Sequence, residues 1–215
     1  MSRIDSSLTQ EHLATVRRFY DGAPTVSNWA ARSYRALLSH YYNLLIPADA
    51  SVLEIGCGSG ELLARLNCRR KVGVDLSTTQ ITAARIRVPE AEFHVQAGEE
   101  LELKESFDCI VISDTLNFSA DVQLLLERLH TVSHAGTRLL INYHSTLWRP
   151  VLSLGRLLGI KAGDPRSNWL ASSDIRNLLQ LANWSPLTFQ GRLLVPAACF
   201  GIDRLINRSL APLMS

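Results

Sequence analysis

The chain of 215 residues lacks a long apolar segment. Its longest apolar stretches, such as LLVPAACFGI, fall far short of the roughly 20 residues that span a bilayer, so no stable membrane insertion is expected. No run of five basic residues occurs and the formal net charge is only +2, which argues against nucleic acid as a partner. The four cysteines have no C-x-x-C spacing, and the charged N-terminus lacks the apolar core of a signal peptide. These absences predict a soluble, cytoplasmic protein with reduced thiols.

The chain does contain a glycine motif, VLEIGCGSG, at residues 52–60. Residues 52–55 are too short and too apolar for a surface helix and predict a buried strand. Glycines allow the backbone to approach a ligand closely, and the leucine-rich stretch that follows predicts a helix over 60–67. Strand, glycine loop and helix together form half of a nucleotide-binding crevice. The glycines stand at alternate positions: Gly56, Gly58 and Gly60.

The spacing of these glycines distinguishes between nucleotides. A dinucleotide site has the pattern G-x-G-x-x-G, but here the third glycine comes one residue early and its expected position falls on Glu61. A glutamate there would face the pyrophosphate at the helix N-terminus, which is unfavourable. The pattern from Glu54 to Gly60 instead resembles motif I of class I S-adenosylmethionine-dependent methyltransferases. The alternative is a glycine turn that binds no ligand.

A second acid supports this resemblance. KVGVDLS, residues 71–77, predicts another buried strand that ends at Asp75, 19 residues after Gly56. This separation is close to the offset of about 20 residues expected for a ribose-binding acid. A carboxylate accepts hydrogen bonds from both ribose hydroxyls, and the family places its ribose-binding acid at this strand end. The alternative role for Asp75 is that of a turn residue or helix cap, next to Ser77, which is predicted to cap the following helix.

The order of the predicted elements indicates the fold class. Apolar runs and helical patterns alternate along the chain, which favours a parallel sheet covered on both faces. The fold class is therefore α/β, with a Rossmann-like, mostly parallel sheet and helices on both faces. The predicted strands are 51–55, 71–75, 92–96, 107–113, 137–143 and 186–194. The predicted helices are 7–20, 27–45, 60–67, 78–87, 121–133, 148–159 and 173–182.

Two regions are expected within a single domain. Residues 1–46 form an N-terminal helical cap, and residues 47–215 form the core that binds S-adenosylmethionine. The family's sheet usually closes with an antiparallel hairpin, but after the strand at 186–194 the sequence predicts only a helix. The last strand is therefore expected to be missing, and the chain is either truncated or continues further in the natural protein.

The resemblance extends over roughly residues 15–195. The segments SDTLNF, NYHSTLW and NWLASSDIRNLL are most similar to methyltransferase domains found ahead of a family-2-type glycosyltransferase in bacterial proteins. The resemblance implies S-adenosyl-L-methionine as the cofactor, a small-molecule or glycan substrate, and a glycosyltransferase module as a partner. The cofactor-binding residues that it implies are Glu54, Gly56, Cys57, Gly58, Gly60, Asp75, Leu76, Gly98, Glu99 and Ser113.

In this fold, the acceptor of the methyl group lies at the carboxyl edge of the sheet, where the catalytic candidates are His144, Asp114 and Tyr20. An unperturbed imidazole titrates near neutrality, so His144 is the most base-like, although a loop histidine bonded to a backbone carbonyl is the alternative. Asp114 either contacts a ligand or caps the next turn. Tyr20 forms, with Trp29 and Tyr34, either a lid over the cofactor or part of the core. No zinc-binding spacing of histidines occurs, so no metal site is expected.

Three functions are compatible with these patterns. The leading hypothesis is methyl transfer to a small-molecule or glycan acceptor, at oxygen. The second is a catalytically weak cofactor-binding domain that acts as a partner within a larger glycosyltransferase-containing protein. The third, a nicotinamide-dependent oxidoreductase, is disfavoured by the glycine spacing and by the lack of a second nucleotide-binding half.

A substitution at Ala97 tests the alignment around the adenine. Family members commonly have an acid in the loop after the third strand that accepts a hydrogen bond from the adenine amino group, and the aligned position here is Ala97. Adenine recognition then falls to the backbone of Gly98 and to Glu99. Because a hydrogen bond to a charged group contributes about 1–3 kcal/mol, Ala97→Asp is expected to tighten cofactor binding in calorimetry. Unchanged or weaker binding counts against the alignment.

Overall fold

The computed structural model describes residues 6–26, 29–143, 168 and 170–188. These residues contain a five-stranded sheet in which all neighbouring strands run parallel, in the order β3-β2-β1-β4-β5. The connection from β3 to β4 therefore crosses back over the sheet, and β1 and β4 meet at its centre. The predicted α/β class and Rossmann-like parallel sheet are confirmed. The strands are β1 (Ser51–Ile55), β2 (Arg70–Asp75), β3 (Glu92–Val95), β4 (Phe107–Ser113) and β5 (Ser133–Asn142).

The α-helices of the described segments are α1 (Ser6–Asp21), α2 (Trp29–Leu45), α3 (Thr78–Arg87), α4 (Val122–Arg128) and α5 (Ser172–Leu181). The predicted helix 148–159 lies outside the described residues. So does most of the predicted strand 186–194, and its first three residues are not in a strand. Four predicted helices are confirmed with shifts of at most two residues at either end: 7–20, 27–45, 78–87 and 173–182.

The prediction of a helix over residues 60–67 is wrong. The chain forms a single 3-10 turn there, Leu63–Arg65, and returns to extended backbone at Leu66. A side chain of α2 competes for the backbone groups that a longer helix would need. Asn43 donates from Nδ2 to Arg65 O at 2.9 Å and accepts from Asn67 N at 2.8 Å. An amide that bonds backbone groups in this way offers the chain an alternative to helical hydrogen bonding.

The helix predicted over 121–133 is also shorter than expected. It ends at Arg128 and continues as a 3-10 turn, Leu129–Val132. The next strand begins at Ser133 instead of residue 137, because Ser133 already pairs with Phe107 of β4. The register then shifts before the next pair, so β5 starts with an irregularity that its sequence pattern does not reveal.

Hydrophobic side chains cover the sheet on both faces. On one face the strands pack against α4 and α5 through residues such as Leu126 and Ile175. On the other face they pack against α2 and α3 through residues such as Leu38 and Ile81. Neighbouring residues of one strand alternate between the two clusters. Burial on both faces explains why β1 and β4 are near-continuous apolar runs.

The N-terminal helix lies over the edge at which the strands end. His12 Nε2 is 3.0 Å from Phe118 O, in the segment after β4. Asp21 Oδ1 accepts a hydrogen bond of 2.6 Å from Ser77 Oγ, just after β2. α1 therefore covers part of the carboxyl edge, as expected of an N-terminal cap, while the domain boundary after residue 46 stays a prediction. No helix in the described ranges is both long and apolar enough to cross a membrane.

The packing around Gly73, in the middle of β2, gives a test of this core. A Cβ atom at Gly73 would lie 2.7 Å from the Phe93 ring and 2.8 Å from Cys57 Sγ, far inside van der Waals contact. Gly73→Ala is therefore expected to lower the free energy of unfolding by about 1–3 kcal/mol in urea denaturation. Gly22→Ala is the matched control, because a Cβ there would meet backbone oxygens at 3.7 Å. Equal stability of the two variants would contradict the described packing.

Candidate active site

The glycine loop after β1 adopts a conformation that most residues avoid. Gly56, Gly58 and Gly60 have φ angles of 72°, 52° and 74°, in the left-handed region where glycine carries no steric cost. A Cβ at Gly56 would collide with the Thr115 side chain, and a Cβ at Gly60 would approach Ala84 to 3.2 Å. A Cβ at Gly58 would meet no atom within 4 Å. The loop is therefore packed at both ends and open in its middle, where a ligand could approach its backbone.

Asp75 connects this loop to the end of β2. Its Oδ2 accepts a hydrogen bond of 2.8 Å from Gly58 N, and its Oδ1 accepts one of 2.8 Å from Ser77 N. Burial raises the pKa of Asp75, and the bonds from Ser77 and Gly58 oppose that shift. Each carboxylate oxygen has two lone pairs, so both oxygens keep capacity for a further donor. Asp75 thus makes the contacts of a turn residue, which was the alternative to its role as a ribose-binding acid. It also lies beside the open part of the glycine loop.

Glu54 is a buried acid on β1, next to the glycine loop. Its residue is 2% exposed, and Oε2 has no hydrogen-bond partner among the described residues. Burial raises its pKa to about 8, the Arg35 charge lowers it, and the Asp75 charge raises it further. A buried acceptor without a partner is costly, so a ligand with a donor or a cation would be favoured beside it.

A polar cluster surrounds Asp114, directly after β4. Its Oδ1 accepts hydrogen bonds from Tyr34 Oη at 3.0 Å and from Asn142 Nδ2 at 2.8 Å. Its Oδ2 pairs with Arg35 Nη1 at 3.3 Å, and the same nitrogen donates to Ser113 Oγ at 3.1 Å. Asp114 itself has a φ of 58°, a left-handed conformation that aspartate tolerates better than most residues. Donors on two sides therefore orient this carboxylate at the centre of the sheet edge.

Two members of this cluster, Arg35 and Asn142, were not among the predicted site residues, and Tyr34 was predicted only as part of a lid over the cofactor or of the core. Asn142 could have been found, because it ends β5 where Asp114 follows β4, and adjacent parallel strands end at one edge. Tyr34 and Arg35 lie on α2, and only the packing of α2 on the sheet brings them to this edge. Burial raises the pKa of Tyr34, and the Asp114 charge raises it further. Tyr34 therefore stays protonated and acts as a donor, not as a base.

Glu99, the acid predicted to lie near the adenine, accepts hydrogen bonds from another segment of the protein. Glu99 Oε1 accepts hydrogen bonds from Ser119 Oγ at 2.8 Å, from Ala120 N at 2.8 Å and from Asp121 N at 3.4 Å. This oxygen joins the segment after β3 to the start of α4. Gly98 is tightly packed, since a Cβ there would lie 2.9 Å from Ile55 Cγ2. Ala97 is only 3% exposed, so a charge at this position carries a burial cost unless it meets a ligand.

The remaining predicted residues are placed as follows. The Tyr20 ring packs edge-on against the Phe118 ring at 5.7 Å, and so lies between α1 and the segment after β4. Cys57 is buried in the glycine loop, and burial raises the pKa of its thiol. Leu76 follows Asp75 directly and is partly exposed. His144 lies outside the described residues. Within the described part of the chain, no group of three acids, histidines or cysteines is arranged to hold a metal ion.

Comparison with known proteins agrees with this geometry. Residues 53–141 match the family model described as a methyltransferase domain. A ubiquinone biosynthesis O-methyltransferase of Nitrobacter winogradskyi is 28% identical over 130 residues, 57% of this chain and 48% of that protein. A malonyl-[acyl-carrier protein] O-methyltransferase of Bacillus cereus is 30% identical over 132 residues, 59% of this chain and 48% of that protein. The chain thus spans about half the length of the curated relatives it matches.

A solved structure supports the same fold. Magnesium protoporphyrin IX methyltransferase of Synechocystis PCC 6803, crystallised with bound S-adenosylmethionine, has a TM-score of 0.62 at 14% identity. The similarity covers 89% of this chain and 92% of that chain. The sheet and the glycine loop are those of the Rossmann-like methyltransferase fold, residues 53–141 match a methyltransferase domain, and S-adenosylmethionine is the cofactor that these similarities indicate. The association with a glycosyltransferase module stays a prediction.

The residues at the carboxyl edge fit this cofactor. Gly58 leaves space beside the loop, and Asp75 has acceptor capacity next to that space. Glu54 offers a buried oxygen, without a partner in the described part of the chain, to a cofactor that carries an ammonium and a sulfonium group. The same cofactor has a carboxylate, for which a nearby cation is available at Arg35. Shape and charge therefore agree with the cofactor of the domain class.

The raised pKa of Glu54 predicts how stability depends on pH. The ordinary pKa is 4.5 and the folded value is about 8, so the folded protein holds the proton more tightly than the unfolded chain. The stability contribution is present below about pH 4.5 and is lost as pH rises through about 8, with a slope of up to about 1.4 kcal/mol per pH unit. Glu54→Gln is expected to flatten this decline in urea denaturation of the ligand-free protein.

Glu102→Gln is the matched control for this experiment, because Glu102 is an exposed acid. It is expected to keep the wild-type dependence on pH. If Glu54→Gln also keeps the wild-type profile, Glu54 is not the buried titrating group.

Proposed function

We propose that the protein transfers a methyl group from S-adenosylmethionine to an oxygen atom of a small-molecule or glycan acceptor. The observation that carries the proposal is the open glycine loop joined through Gly58 to Asp75, next to the buried Oε2 atom of Glu54, which has no hydrogen-bond partner among the described residues. Two relatives whose names state O-methylation support the choice of oxygen.

The proposed cofactor contacts follow from the positions of these side chains. Asp75 accepts hydrogen bonds from the ribose hydroxyls, since a carboxylate can accept from both at once. Glu54 pairs with the ammonium of the methionine part. The backbone of Gly98 and Glu99 are the proposed contacts with the adenine, and Glu99 Oε1 also accepts hydrogen bonds from the segment that leads into α4. The other proposed contacts line the same edge: Gly56, Cys57, Gly60, Leu76 and Ser113.

When bound, S-adenosylmethionine supplies an activated methyl group on a sulfonium with a good leaving group. The task of the protein is then to align the acceptor oxygen and to exclude water. Asp114 is proposed to orient the acceptor, because Tyr34, Arg35 and Asn142 hold its carboxylate in one position. Tyr20 is proposed to cover the edge from α1. A hydroxyl acceptor needs a base to remove its proton, and His144 is proposed for that role.

A second candidate function is a cofactor-binding domain with weak catalysis that serves as a partner of a glycosyltransferase module. It is favoured by Glu99, whose Oε1 bonds the start of α4, and by Ala97, where an adenine-binding acid is common. Both functions require cofactor binding. Only the first requires turnover, so methyl transfer to a panel of phenols, organic acids and glycan fragments distinguishes them.

Asp75→Asn tests the proposed function at its central contact. The amide keeps the size of the side chain but replaces one acceptor oxygen with a donor, so affinity for S-adenosylhomocysteine is expected to fall about 10-fold to 100-fold in calorimetry. Asp49→Asn is the control, because this exposed acid precedes β1 at the opposite edge of the sheet. Failure of the wild-type protein to bind S-adenosylhomocysteine, or binding of NAD instead, would reject the proposal.

A further inference from the structure

Arg87, at the end of α3, donates hydrogen bonds to two segments that are far apart in the sequence. Its Nη1 atom donates to the backbone oxygen of Ser59, in the glycine loop. Its Nη2 atom donates to the backbone oxygen of Thr25 at 3.2 Å, in the connection between α1 and α2, and lies 3.9 Å from Oε1 of Glu61. A guanidinium has several N–H donors in one plane, so a single side chain can hold both segments.

The bond to Ser59 acts on the peptide group that closes the glycine loop. The oxygen of this peptide group accepts from Arg87, and its N–H, which belongs to Gly60, donates to Cys57 O at 3.0 Å. Both polar atoms of one peptide group are therefore held, which fixes its orientation. Ser59 is a buried residue, where a carbonyl group that loses its donor is costly.

The packing of α3 brings Arg87 to this position. Ala84 lies three residues before Arg87 and is so close to the loop that a Cβ atom at Gly60 would lie 3.2 Å from its side chain. Residues three positions apart share a helix face, so Arg87 lies on the face of α3 that meets the loop. The helix ends at Arg87, where a positive charge is also favourable for the helix dipole.

The same helix holds the end of α1 and the connection that follows it. Gln80 donates from Nε2 to Tyr20 O at 3.2 Å and to Ala23 O at 3.4 Å. Arg87 bonds Thr25, two residues further along this connection. The second bond of Arg87, to the glycine loop, then joins the connection to the proposed cofactor site.

We propose that Arg87 is a positioning residue for cofactor binding, which holds the glycine loop in its binding conformation and ties it to the connection between α1 and α2. Arg87 acts through the backbone of Ser59 and does not itself touch the cofactor. This inference rests on the proposed function, because the loop that Arg87 positions is the proposed cofactor-binding loop. No local pattern marks Arg87, since it lies 28 positions away from Ser59.

The test compares two arginines of α3 in calorimetry with S-adenosylhomocysteine and the full chain. Arg87→Gln removes the guanidinium that holds the loop, so the affinity is expected to fall about 5-fold to 30-fold. Arg85→Gln is the matched control, because Arg85 Nη2 also donates to a backbone oxygen, that of Phe93 in β3, at 2.8 Å. It is expected to change the affinity less than about twofold. Arg87→Lys keeps the charge but loses the planar set of donors, so an intermediate loss is expected.

A spectroscopic measurement tests the positioning role without the cofactor. In proton–nitrogen correlation NMR spectra of the ligand-free protein, Arg87→Gln is expected to shift the amide signals of Gly58 and Gly60, whose N–H groups both donate hydrogen bonds. Arg85→Gln is expected to leave both signals in place. A role limited to stability would lower the unfolding temperature without moving the two signals.

The proposal is overturned if Arg87→Gln binds S-adenosylhomocysteine as tightly as the wild-type protein, or if the two glycine signals do not move. It is also overturned if Arg85→Gln weakens binding equally, because an equal loss indicates a general effect on α3. Thermal unfolding shows whether Arg87→Gln folds, and Arg87→Lys carries both measurements if it does not. Failure of the proposed function is distinguishable, since the wild-type protein then does not bind S-adenosylhomocysteine while the NMR comparison still reports on the loop.

Discussion

The hydrogen bond from Gly58 N to Asp75 Oδ2 joins the two neighbouring strand ends on which the site depends. It fixes the loop after β1 against the end of β2, and the same carboxylate bonds Ser77 N at the start of α3. Ser77 in turn donates to Asp21 of α1. One partly buried acid, Asp75, thus links the glycine loop and the start of α3, and through Ser77 also the N-terminal helix. Gly58 has a left-handed conformation in this loop. A Cβ atom at Gly58 would meet no atom within 4 Å, so the space beside this residue is open.

The charges at this edge are arranged for a ligand more than for stability. Asp114 is satisfied by donors from α2 and β5, whereas Glu54 is buried and its Oε2 has no hydrogen-bond partner among the described residues. An unpartnered buried acid destabilises the folded chain, and its cost is offset only when a donor or cation binds beside it. Arg35 lies close enough to act electrostatically on both acids, and among the described residues its hydrogen bonds go to Ser113 and Asp114. The edge therefore has one buried oxygen of Glu54 at which a donor or a cation would be stabilised.

Local patterns predicted most of the fold because they are short and periodic. The apolar runs of β1 and β4 and the helical spacing of α3 predict their elements at nearly correct bounds. The errors occur where a distant group competes with local structure. Asn43 bonds the backbone near Arg65 and ends a predicted helix, and pairing with Phe107 starts β5 early. Glu99 stays a predicted cofactor contact, and the structure adds a contact of its Oε1 with the start of α4, about 20 positions away, which no local pattern reveals.

The sequence by itself determined the sheet class, the glycine loop and the acid at the end of β2, because glycine spacing and strand-end position are properties of contiguous residues. Tertiary structure decided which side chains from other elements complete the site. Tyr34, Arg35 and Asn142 reach Asp114 only because α2 packs on the sheet and because β4 and β5 lie side by side. No local pattern encodes such contacts, since they join residues 28 to 80 positions apart.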